Sequence, residues 1–148
     1  MLSPALTWAE VQVMLSDSTT NQFGPNIQEV FIRKGNHQFV DGSYKLIDNA
    51  TADSLNIFYQ TRYLGSWGNE VLIVKNVTEN TWYHLTIVNS DKPLEINVAQ
   101  NNNLVGSFVS TQGPITANFR VVLGVKSQST DYVLTGAFDN LSVTSPEK

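Results

Sequence analysis

The chain has 148 residues and a formal net charge of -4; it is 41% hydrophobic and 15% charged. That length suits one domain with a sizeable core. The basic residues are scattered singly, which excludes the clustered cations that phosphate backbones require. The absence of cysteine excludes disulfides and thiolate metal sites. No apolar run approaches the roughly 20 residues of a membrane-spanning helix. Asn, Thr, Ser and Gln supply most of the polarity, a balance common in secreted β proteins.

Residues 1–148 read as one module. The first residues lack a basic region followed by an apolar stretch, so they do not read as a signal peptide. Met1 reads as an added start and residues 144–148 as the start of a linker. The expectation is a module cut from a longer protein.

In chain order, residues 6–15 alternate well, with Val11, Val13 and Leu15 on one side and Trp8, Glu10, Gln12 and Met14 on the other. A polar stretch with Gly24-Pro25 follows. A second strand is expected over 27–34. Short strands at 39–40 and 44–47 are expected around an Asp41-Gly42 turn. Residues 55–63 form an aromatic-rich strand with Phe58, Tyr59 and Tyr63. The tip after it carries Trp67 between Gly65 and Gly68. Residues 71–75 are apolar on both faces, which predicts a central or covered strand.

The pair 81–88 and 94–98 dominates the pattern. On the first, Trp82, His84, Thr86 and Val88 share one face, and Tyr83, Leu85 and Ile87 the other. Trp82 is expected in the core. On the second, Leu94, Ile96 and Val98 point one way, Glu95 and Asn97 the other. A polar turn at 100–103, strands at 104–110 and 119–125, and closing strands at 132–134 and 138–143 complete the chain. No window has helical periodicity. Roughly ten short strands at regular spacing predict an all-β, antiparallel two-sheet β-sandwich of jelly-roll type.

Four pieces carry a family likeness. They are Trp8-Ala9-Glu10-Val11-Gln12-Val13; Thr81-Trp82-Tyr83-His84-Leu85-Thr86; residues 94–98 with the hairpin to Leu104-Val105-Gly106; and Val122-Leu123-Gly124 followed by Gly136-Ala137-Phe138-Asp139-Asn140-Leu141. Their order resembles the concanavalin A-like lectin/glucanase superfamily, specifically its laminin-G-like jelly rolls. Asn102-Asn103 stands where that family usually has Asp-Gly. The fold hosts lectins, carbohydrate-binding modules, adhesion domains and polysaccharide-degrading enzymes, so the site must decide among them.

The paired acids of the family's glucanases, spaced E-x-D-x-x-E on one strand, are missing; Glu10, Glu29, Glu70 and Glu95 each stand alone in sequence. A lyase constellation would need Tyr59, Gln60, Arg62 and His84 to align. Two isolated histidines do not suggest zinc. Sugars present flat CH faces ringed by hydroxyls, so a sugar site wants an exposed aromatic ring flanked by hydrogen-bonding groups. Trp67, Tyr63, Arg62, Tyr59 and Asn69 have that composition. Arg120, Glu95 and Asn97 are polar positions on apolar strands that could line a sheet face.

The resemblance implies a secreted or cell-surface, non-catalytic carbohydrate-binding module that brings linked catalytic or surface domains to a polysaccharide. It also implies a structural Ca2+ held through Asp139, with Asn140 or Asp131. The alternatives are a polysaccharide lyase or glycoside hydrolase on the same fold, or a laminin-G-like adhesion domain that binds protein. Three matches to the N-glycosylation pattern, at Asn49, Asn76 and Asn140, carry little in so Asn-rich a chain.

Overall fold

The computed structural model describes residues 9–17, 24–90, 92–111, 119–127 and 136–144. These residues contain strands and no helix. The strands are β1 (Ala9–Ser16), β2 (Ile27–Lys34), β3 (His37–Val40), β4 (Ser43–Leu46), β5 (Leu55–Tyr63), β6 (Ser66–Trp67), β7 (Val71–Val77), β8 (His84–Val88), β9 (Glu95–Gln100), β10 (Asn103–Val109) and β11 (Arg120–Ser127). All pairings are antiparallel.

Six strands form one sheet in the order β11-β1-β2-β5-β6, with β7 also on β5; β10-β9-β8 form a second sheet and β3-β4 a hairpin. Two-residue turns set the hairpin registers. Asp41 and Gly42 have φ of 53° and 76°, Leu64 and Gly65 47° and 88°, and Asn101 and Asn102 50° and 63°. Positive φ at both central positions matches the right-handed twist of the flanking strands. Asn tolerates that region because its short side chain satisfies nearby backbone groups, so Asn101-Asn102 can form the turn between β9 and β10.

One apolar cluster draws on both sheets, and a smaller one gathers Phe31, Ile47 and Phe58. Leu94, Ile96 and Val98 of β9 share one apolar cluster with Leu15, Val30, Ile57, Tyr59 and Val77 of the larger sheet. Tyr83, Leu85 and Ile87 pack against it, as their alternation predicts. Gly106 lets β10 approach β7. A Cβ there would lie 2.6 Å from Val74 Cγ2 and 2.7 Å from the Ile73 carbonyl oxygen, so no larger residue fits without moving a strand.

Three expectations change. Trp82 precedes β8 and is 63% exposed, not core; it falls on the side of His84, Thr86 and Val88, which faces out. Trp67 is not the loop tip, because the chain turns at Leu64-Gly65 and Trp67 lies on the returning strand β6. Residues 138–143 form no strand and are exposed. Asn140 has φ of 52°, which interrupts an extended run in its middle. The expectations for Trp8, Asp131, 132–134 and the 145–148 tail lie outside the described residues.

Candidate functional site

Alternation gives the six-stranded sheet two unlike faces. Val30, Ile57 and Tyr59 point to the core. The opposite face carries four transverse rows fixed by register. Arg120–Ser16–Ile27–Arg62–Trp67 spans the sheet from β11 to β6. Val122–Met14–Glu29–Gln60 lies beside it, then Gly124–Gln12–Phe31–Phe58–Leu72, then Lys126–Glu10–Arg33–Asn56. Acid, amide and guanidinium groups thus share this face with aromatic rings.

One end is locked. The Arg33 guanidinium lies 4.7 Å from the Phe58 ring centroid and 5.4 Å from that of Phe31, while those rings stack at 5.3 Å. Its Nη1 and Nη2 donate to Glu70 Oε1 and Oε2 at 2.8 and 2.5 Å, and Nη1 donates to Glu10 Oε1 at 3.3 Å. Nη2 also donates to the His37 carbonyl, and Glu70 Oε2 accepts the Phe39 N–H, so the β3-β4 hairpin is tied down over this end. Burial pulls the Arg33 pKa down, but hydrogen bonding to Glu70 and the charges of Glu70 and Glu10 outweigh it and the net shift is upward. This end is structural: every charge has a partner.

The other end is less satisfied. Lys126 and Trp67 occupy diagonally opposite corners of the face, yet Lys126 Nζ lies 5.7 Å from the Trp67 ring centroid and 3.8 Å from Glu10 Oε2. Glu29 and Gln12 are each 1% exposed. Glu29 Oε2, Gln12 Oε1 and Arg120 Nε are buried and accept or donate no hydrogen bond among the described residues. Burial pushes the Glu29 carboxyl up to about 7, against the lowering effect of Lys126. Burial also raises Glu10, with Arg33 and Lys126 opposing.

Of the sequence-predicted site residues, Trp67 and Arg62 come together. The guanidinium lies 5.7 Å from the indole centroid. Arg62 Nε donates to the Gly65 carbonyl at 3.0 Å and Nη1 to that of Gly24 at 3.1 Å. Gly65 N–H bonds the Pro25 carbonyl, Gly68 N–H that of Thr61, and Gln60 Nε2 donates to Gly68 O. The hairpin is therefore held rigidly and leaves the indole 37% exposed. Tyr63, 60% exposed, pairs with Ser66 and points to the opposite face. Tyr59 is 2% exposed in the core, its hydroxyl bonded to Gln28 and Ser110; it cannot touch a ligand on the Trp67 face. Asn69 is exposed but reciprocally bonded to Asp41, whose N–H donates to Oδ1 at 2.8 Å and whose Oδ1 accepts from Nδ2 at 3.1 Å. Its work is to join the β3-β4 turn to the chain after β6.

The Tyr59, Gln60, Arg62 and His84 constellation does not assemble. Tyr59 faces the core, Gln60 and Arg62 the other side, and His84 lies exposed on the second sheet. Asp139 is exposed and its Oδ1 accepts the Asn140 N–H at 2.8 Å. Among the described residues, no three His, Asp or Glu side chains converge to hold a metal.

Sequence spacing does not single out Glu29, Gln12 or Lys126 as site residues. A signal is present for two of the strands: Glu10 and Gln12, and Glu29 and Arg33, occupy the same alternating face of β1 and of β2. What puts Glu10 opposite Arg33 is cross-strand register, and Glu70 joins them from the segment between β6 and β7 through its hydrogen bonds to Arg33; neither is visible to same-strand spacing. No protein-family model, curated protein or solved structure matches this chain, and its own residues are what carry a functional reading.

Proposed function

We propose that the chain is a non-catalytic glycan-binding module, a jelly-roll β-sandwich working outside the cell and linked to other domains. Its binding surface is the end of the six-stranded sheet's outer face that carries Trp67 and Arg62; the rows beside it, through Met14, Glu29, Gln12, Phe31 and Phe58, are buried. The observation that carries this reading is the row ending in Trp67, which places a half-exposed indole beside Arg62 and in line with Arg120 on a rigid strand. A pyranose stacks its CH face on an indole while its hydroxyls bond to flanking donors. Ring contacts with a few hydrogen bonds give modest affinity, and linkage to a second domain raises its effective concentration at a polymer.

A glycan array identifies the ligand. Affinity electrophoresis with Trp67→Ala then tests the site: loss of retardation with an unchanged melting temperature supports it, and undiminished retardation removes it. A structural Ca2+ at Asp139 is a separate proposal, tested by the melting temperature with and without EDTA.

A glycoside hydrolase is the second reading, favoured by Glu29, whose buried carboxyl is pushed up to about 7 on a face that also carries Glu10 two rows away. With Glu29 only 1% exposed, a glycosidic oxygen does not reach it in this arrangement. Release of reducing ends that Glu29→Gln abolishes would install the hydrolase instead.

A further inference from the structure

The chain is acidic, with a formal net charge of -4, but the Trp67 face is not. Its described cations are Arg33, Arg62, Arg120 and Lys126, and its carboxyls are Glu10, Glu29 and Glu70. Arg33 is consumed by Glu70 and Glu10. Lys126 is shared between Glu10 and the indole. Among the described residues neither Arg62 nor Arg120 has a carboxylate partner. Arg62 spends Nε and Nη1 on carbonyls and bonds nothing through Nη2 within the described residues. Arg120 holds a buried Nε without a partner. Local sign therefore runs against the sign of the whole chain where the aromatic ring is exposed.

A neutral glycan does not need this arrangement. Amides and hydroxyls satisfy sugar hydroxyls, and unpaired guanidinium groups held partly out of water are costly to retain. A guanidinium offers planar paired donors suited to a carboxylate. A uronic acid sugar keeps the apolar ring face that stacks on an indole and carries its carboxylate at the ring edge.

We infer that the glycan bound at the Trp67 end of the face is anionic, a polyuronate whose carboxylates pair with Arg62 and Arg120 while one ring stacks on Trp67. This rests on the glycan-binding reading, and the experiment separates the two. The intact chain is titrated with polygalacturonate, alginate and hyaluronan, with a fully methyl-esterified form of whichever binds, with neutral glucan and mannan, and with dextran sulfate.

The expected result is binding to a polyuronate that weakens at least about tenfold on esterification, roughly 1.4 kcal/mol. It should also weaken as salt rises from about 0.05 to 0.5 M. Trp67→Ala and Arg62→Gln should each abolish it. Because Arg62 also holds two backbone carbonyls, the comparisons of esterification and salt use the unaltered chain. Equal binding to the esterified polymer, or to neutral glycans alone, overturns the uronate inference and leaves the glycan reading standing. Equal binding to dextran sulfate reduces the site to unspecific charge and overturns it as well. Binding to none of these polymers overturns both.

Discussion

The two faces of the six-stranded sheet are built from the same strands and obey different rules. The core face is apolar, closes on β9, and tolerates nothing larger than hydrogen at Gly106. The opposite face buries acids, amides and guanidinium groups among aromatic rings, fully paired at the Arg33 end and left unpaired toward Glu29 and Arg120. Burying polar groups without partners costs stability. A fold that needed only a second apolar layer would place apolar residues there. The difference separates what holds the molecule together from what it presents.

The comparison can be broken hardest at the paired end. Arg33→Leu strands Glu70 without its cation and leaves Glu10 with Lys126 alone, and a loss of about 3–5 kcal/mol is expected in denaturant unfolding. The core face should lose slightly less. Ile96→Ala leaves a cavity in the shared cluster and should cost about 2–5 kcal/mol. Gly106→Ala should cost about 1–3 kcal/mol through overpacking against β7, with both losses read from the unfolding midpoint.

The unpaired end behaves oppositely. In the folded protein the Glu29 carboxyl titrates near 7, raised from 4.5. Between those values the native state holds a proton that the unfolded chain has released, so stability falls as pH rises through this window and levels off above it. Glu29→Gln keeps the shape and cannot ionise. It should flatten that slope and stabilise the protein above pH 7 by about 3 kcal/mol at most. A variant destabilised at pH 8 would mean that Glu29 is ionised and satisfied in the native state.

Much of the scaffold was legible. The alternation at Tyr83, Leu85 and Ile87, and the positive-φ turns at Asp41-Gly42 and Asn101-Asn102, follow from local chemistry alone. The strand at 138–143 did not form, because apolar spacing says nothing of the left-handed backbone at Asn140. The site was half legible. Trp67 and Arg62 were identified together, but grouping Tyr63 and Tyr59 with them ignored the period-2 rule: adjacent residues on one strand face opposite ways. Trp82 is expected in the core, although its own strand's alternation puts it with His84 and Thr86, which face out. Glu29, Arg120 and Lys126 could not be joined to Trp67 without registers across five strands, which no local spacing encodes.

Trp67 and Tyr63 lie four residues apart on opposite faces of the same hairpin, and both are exposed. Measuring retention of Trp67→Ala and Tyr63→Ala on the ligand identified by the glycan array, each with its melting temperature within about 3 °C of the parent, tests the account most directly. The account predicts that the Trp67 variant loses retention and the Tyr63 variant keeps it. The reverse pattern would put the binding surface on the wrong side of the sheet and contradict the division of labour between its faces.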